Sequence, residues 1–185
     1  MKRPDFDDLT AFLLKATSAD LLPPPQHLLL AIPELSPTVG FDQRSPHHGF
    51  DLYTHIAHVT AAVPARAALR WAALLHDIGK VPTFTRDETG RGHFHGHAAV
   101  SAQMARQVLE RLDAPADLTD RAVSLISGHM LPPAADEAGL RCLCRHLGRE
   151  VYEDLLFLQE ADLHSKGKPV RSNPFPAVRE ALKTL

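Results

Sequence analysis

The pattern of apolar and polar positions is helical almost throughout. Apolar residues recur at helical intervals in Met104, Val108, Leu109 and Leu112, and again in Val151, Leu155, Leu158 and Ala161, which puts each set on one face of a helix. No run alternates apolar and polar as a half-buried strand would. Asp5 or Asp7 can cap a first helix carrying Leu9, Phe12, Leu13 and Leu14, and Leu21-Leu22-Pro23-Pro24-Pro25 ends it. A short apolar segment from His27 to Ile32 stops at Pro33, and the stretch from Glu34 to Gly49 has a loop composition. Asp51 reads as the N-cap of a helix through Leu52, His55, Ile56, Val59 and Val63, with Pro64 in the first turn of the next. That next helix is apolar from Ala67 through Leu75, runs into His76-Asp77 and stops at Gly79. Pro82 to Gly96 mixes charge, glycine and histidine and should be an exposed loop. Helices are expected from His97 to Leu112, Ala116 to His129, Ala134 to Leu147 and Glu150 to Ser165, with a last short one from Val178 to Leu182.

These elements predict an all-α fold, a single compact helical bundle. A chain of 185 residues suits one domain. We divide it into an N-terminal helical extension and loop at 1–46, a main domain at 47–167, and a basic, proline-rich tail with a short helix at 168–185. The formal net charge of −2 gives no global basic footprint for binding nucleic acid by counterion release, and leaves room only for a local phosphate-binding patch. The N-terminus turns acidic too soon for a signal peptide, and no apolar run approaches membrane-spanning length. The expectation is a cytoplasmic protein with no membrane partner; nothing in the sequence specifies an oligomeric state. Cys142 and Cys144 are one residue apart in a helical pattern, poor geometry for a disulfide, and read as core or half-buried thiols.

Histidine changes the picture. There are twelve, scattered rather than in one run. His76-Asp77 stands at the end of an apolar helix, where burial without a partner would be costly. His55 and Asp162 also sit in or at the end of apolar helical runs, so packing those helices brings three segments to one point. Two imidazoles and two carboxylates suit a hard or borderline divalent metal.

The order His, then His-Asp, then a distant Asp in an all-helical chain resembles the HD phosphohydrolase superfamily, and Ala73-Leu74-Leu75-His76-Asp77-Ile78-Gly79-Lys80 is similar to its central motif. Together with Tyr53-Thr54-His55, Gly96-His97 and Glu160-Ala161-Asp162, it most resembles the HD domain appended to bacterial CCA-adding tRNA nucleotidyltransferases, here standing alone. The similarity runs from roughly His48 to Gly167. No nucleotidyltransferase head fits in this length, so nucleotide addition is not carried over. Two other branches fit less well: the guanosine tetraphosphate hydrolases follow HD with an acidic pair where this chain has Gly79-Lys80-Val81, and Gly128-His129-Met130-Leu131-Pro132 lacks the Gly-Tyr-Pro of the HD-GYP phosphodiesterases.

The resemblance implies a metal-dependent phosphohydrolase, phosphodiesterase or phosphatase, that uses metal-activated water on nucleotides or RNA 3′ ends carrying 2′,3′-cyclic or terminal phosphates. The alternatives are a 5′-nucleotidase of (deoxy)nucleoside monophosphates and a non-catalytic nucleotide- or RNA-binding helical module. His55, His76, Asp77 and Asp162 would hold a first divalent ion, and His97 and His129, with Asp77 bridging, a second. The identity is open among Mn, Ni, Co, Mg, Fe and Zn, as is one ion or two. Asp77 and Lys80 are the expected catalytic residues. Lys80, beyond the Gly79 break, is placed to meet a phosphate oxygen; its plainer reading is a lysine complementing a helix dipole. Arg91, His93 and His95 are expected at the substrate. The roles of His47, His48 and His58 stay open. Arg86, Lys166, Lys168 and Arg171 are candidates for the rim of the pocket or for a solvated surface.

Overall fold

The computed structural model describes residues 4–46, 49–134 and 136–185. The architecture is all-α. The first helices are α1 (Phe6–Lys15), α2 (Ser18–Leu21) and α3 (Gln26–Ala31), followed by a 3-10 turn at Pro33–Thr38. Then come α4 (Leu52–Ala62), α5 (Ala67–Leu75) and a second 3-10 turn at Ile78–Lys80. Strands β1 (Thr85–Arg86) and β2 (Gly92–His93) form one antiparallel hairpin. The chain closes with α6 (His97–Arg111), α7 (Ala116–Gly128), α8 (Glu137–Leu147), α9 (Arg149–His164) and α10 (Phe175–Lys183).

Helix α5 is the axis of the bundle. Every residue from Ala68 to Leu75 is buried, as expected of a helix that is apolar nearly all round. It packs against α1, α4, α6, α7 and α9. Trp71 stacks on Phe6 with ring centroids 5.6 Å apart, and its indole N–H donates to Thr10 Oγ1 at 2.9 Å. One contiguous core runs from Phe6 in α1 to Leu182 in α10, so the N-terminal helices share the main core.

The caps explain several boundaries. The Asp51 carboxylate accepts from the Thr54 amide at 2.7 Å and starts α4. Asp5 and Asp136 start α1 and α8 in the same way, so α8 begins after the expected Ala134. Pro64 lies in the connection before α5 rather than in its first turn, because the helix opens only after Arg66. The Pro82–Gly96 segment contains the small hairpin, too short to show an alternating pattern. Cys142 is exposed and Cys144 half-buried, and both are free thiols. Among the described residues no helix is long and apolar enough to cross a membrane.

Candidate metal centre

Helix ends converge on one point. His55 comes from the buried face of α4, and His76 and Asp77 follow α5 directly. His97 opens α6, His129 caps the end of α7, and Asp162 lies in the last turn of α9. Five of these side chains are buried, and Asp162 keeps 16% of its side chain exposed.

Asp77 sits between two groups of donors. Its Oδ2 lies 3.4 Å from His55 Nε2 and 3.3 Å from His76 Nε2, and Asp162 Oδ1 is 3.1 Å from His55 Nε2 and 4.0 Å from His76 Nε2. Its Oδ1 lies 3.4 Å from His97 Nε2 and 3.8 Å from His129 Nε2, and those two nitrogens are 3.2 Å apart. Within each group the donor atoms lie within 4.8 Å of one another.

The imidazoles are all held from behind. His76, His97 and His129 each place Nδ1 against the carbonyl three residues earlier, of Ala73, Phe94 and Ile126, at 2.8, 2.8 and 2.7 Å. His55 Nδ1 lies 3.0 Å from the Ser165 carbonyl. A carbonyl only accepts, so each Nδ1 carries the proton and donates it. In the neutral ring the lone pair is then on Nε2, facing Asp77. Histidines that bind a metal through one nitrogen are characteristically fixed by such a bond from the other.

The two carboxylates dominate the electrostatics of the centre. Burial opposes ionisation of Asp77, but the neighbouring His76 and Lys80 outweigh it and hold its carboxyl well below the usual range. Asp162 is likewise lowered against burial, by His55 and Lys166. For His55 burial disfavours the cation, yet Asp162 and Asp77 prevail and raise its pKa to about 9. Burial lowers His97, and burial with the nearby His76 lowers His129 to about 4. Both carboxylates are thus held in the ionised form, while positive charge is favoured on His55 and disfavoured on His97 and His129.

A divalent cation suits this set. His76 Nε2 and Asp77 Oδ1 are buried without a hydrogen-bond partner, and each such atom costs about 1–3 kcal/mol when left unsatisfied. A cation there would satisfy both and take the place of the His55 proton.

Lys80 is buried, with Nζ 2.7 Å from Asp77 Oδ2, 3.0 Å from Gln43 Oε1, and over the Phe94 ring. Lys166 Nζ lies 3.1 Å from Asp162 Oδ2. Asp77, Lys80 and Lys166, with His93, His95 and Met130, line a cleft of about 270 Å³ that opens onto the centre. His93 Nε2 meets Asp87 Oδ2 at 2.7 Å within the hairpin, and the His95 ring stacks on His93 at 5.7 Å. Arg91 is exposed on the hairpin and is not among the residues lining the cleft. His58 is turned elsewhere, with Nδ1 3.3 Å from Ser18 Oγ. His47 and His48 lie outside the described residues.

Two features went unread in the sequence. Gln43 sits in a loop with no periodicity to single it out. The four anchoring carbonyls carry no side-chain signal at all.

An all-helical bundle that gathers histidines around an aspartate in a helix-terminal His-Asp pair defines a class, and comparison agrees: the HD domain family matches residues 51–166, and the chain belongs to that family. It is similar to the A-adding tRNA nucleotidyltransferase of Deinococcus radiodurans, 40% identical over 149 residues, which cover 77% of this chain and 34% of that protein. It is also similar to the CC-adding tRNA nucleotidyltransferase of Thermus thermophilus, 34% identical over 139 residues, covering 71% and 31%. A multifunctional CCA protein of Azoarcus sp. is 42% identical over 102 residues, covering 53% and 24%. The chain therefore spans about a third or less of the length of these curated relatives.

Proposed function

We propose that the protein is a metal-dependent phosphohydrolase acting on a phosphate at the 3′ end of RNA or of a nucleotide, with 2′,3′-cyclic and terminal phosphates as its substrates. The carrying observation is Asp77, buried with one carboxylate oxygen toward His55 and His76 and the other toward His97 and His129. The tRNA-directed names of the relatives support an RNA end as substrate.

In this reading His55, His76, Asp77 and Asp162 would hold one divalent ion, and His97 and His129 with Asp77 a second. A bound ion supplies Lewis acidity toward a phosphoryl oxygen and lowers the pKa of a coordinated water. The chain's own groups do the rest. The four backbone carbonyls keep every imidazole in the tautomer that offers Nε2. Gln43 holds the Lys80 ammonium at the floor of the cleft, where it can take up charge developing on the phosphoryl group. Lys166 provides a second cation at the other carboxylate. A volume of about 270 Å³ is enough for a terminal phosphate and its ribose. Met130, 61% exposed, offers an apolar wall beside them.

The test is a substrate panel with Mn, Ni, Co and Mg, comparing 2′,3′-cyclic nucleotides, 3′-phosphorylated RNA and 5′-monophosphates. Cyclic phosphodiester cleavage and 3′-dephosphorylation are expected. Turnover confined to 5′-monophosphates would replace this reading with that of a 5′-nucleotidase, and nucleotide binding without turnover under any metal would make the protein a binding module.

A further inference from the structure

A second cleft, of about 830 Å³, lies where the ends of α1 and α4 meet the 164–169 segment. Beside the hydroxyls of Thr17, Ser18 and Ser165, its polar lining is cationic or imidazole: Lys15, His58, Arg70, His164 and Lys168. Among the described residues no acidic side chain lines it.

Arg70 makes this more than a rim of surface charge. It lies within the fully buried stretch of α5 and is only 7% exposed. Its Nη1 donates to the carbonyls of Ala16 at 3.0 Å and Thr60 at 2.8 Å, near the C-terminal ends of α1 and α4. Those carbonyls carry only the partial negative charge of helix ends. Its Nε is buried and has no hydrogen-bond partner, and no carboxylate among the described residues pairs with it. A guanidinium this deeply placed is ordinarily matched by a full negative charge. Helix capping explains Nη1, and dipole complementation explains Lys15 at the end of α1; neither explains a deeply placed guanidinium in a cleft of cations that no acid balances.

We propose that this cleft binds a phosphoryl group, as a phosphate monoester or diester, at a site separate from the candidate metal centre. Guanidinium and ammonium groups are the ordinary partners of such an anion. Two sources share this chemistry: a free small phosphate, and the backbone of a polynucleotide. Lys168 also lines a neighbouring cleft with Lys166 and Arg171, and Lys166 lines the cleft of the metal centre, so cations continue from one site to the other. Ser165 lines the Arg70 cleft while its carbonyl holds His55, so a ligand here abuts the anchor of a metal-centre residue.

The test uses the full chain stripped of metal by chelator, so that it is independent of any hydrolytic activity. Inorganic phosphate and, separately, a short single-stranded RNA are titrated while backbone amide shifts are followed. Saturable shifts are expected at Ala16 to Ser18, Ala61 and Ser165 to Lys168. In the double variant Lys15→Gln, Lys168→Gln, both positions being exposed, affinity should fall about tenfold, the scale of lost charge-assisted contacts. Saturation by phosphate identifies a small ester as ligand, and saturation by RNA alone identifies the polynucleotide backbone; either supports the site. The absence of saturable shifts there with both ligands, or an unchanged affinity in the double variant, overturns it.

Discussion

Asp77 is the residue on which the most chemistry depends. Its two oxygens face different imidazole pairs, and Oδ1 is buried without a hydrogen bond, so this one carboxylate joins both groups of donors. Asp77→Ala should lower metal affinity by more than the roughly 10–100-fold that loss of an outer supporting contact costs, and should abolish phosphohydrolysis. Far-UV circular dichroism should stay helical, because removing a carboxylate leaves α5 and its packing in place. Metal retention at the wild-type level would overturn the assignment. His129→Ala probes only the other side of the carboxylate. Elemental analysis should give one ion per chain where the wild type gives two, and equal stoichiometry would reduce the centre to a single ion.

The same scale shows what a sequence can reveal. His55, His76, Asp77, His97, His129 and Asp162 stood out because polar ligand types interrupt apolar helical runs or sit at their ends. Gln43 did not, since it precedes α4 in a stretch of loop composition, yet it fixes the Lys80 ammonium at 3.0 Å. His93 looked like a phosphate contact in an alternating His run, and the structure pairs it with Asp87, which a register across β1 and β2 brings near.

At the scale of elements, the centre depends on how closely the 3-10 turn after α5 approaches the start of α6. The Ser101 hydroxyl accepts the Gly79 amide at 2.9 Å. A Cβ at Gly79 would fall 2.5 Å from Ser101 N and 2.6 Å from the His97 carbonyl, both backbone atoms that cannot swing aside. Gly79→Ala should therefore push α6 away, destabilise the fold by about 1–3 kcal/mol as overpacked sites do, and move His97 from Asp77. Denaturant unfolding with metal counting checks both effects, and a wild-type midpoint with full metal content would show that the turn can yield. The sequence marked Gly79 as a helix stop, which is a local fact; its contact with α6 is tertiary. The same holds for Asp154, buried on α9 and paired with Arg66 at 2.6 Å and Arg121 at 2.8 Å, because nothing local in the sequence links those three positions.

For the whole molecule, the six candidate ligands come from five separate parts of the chain: α4, the end of α5, the start of α6, the end of α7 and the end of α9. The helical class was legible because amphipathic periodicity is local, and the junction of these elements was foreseeable because each ligand lies in or at an end of an apolar run. An ion held at that junction binds the folded chain and has no preformed site in the unfolded one, so its binding free energy adds to stability. At a free metal concentration of one hundred times Kd the gain is about 2.7 kcal/mol. For a chain of this size each kcal/mol moves the midpoint by about 2–4 °C, so chelation should lower Tm by roughly 5–10 °C for each ion removed. Returning the metal should restore it, since the packed core of α5 does not depend on the ion. Asp77→Ala should melt at one temperature with or without chelator, which separates loss of a bound ion from any general effect of the chelator. A wild-type Tm that chelation leaves unchanged would mean that the six side chains gather without holding an ion.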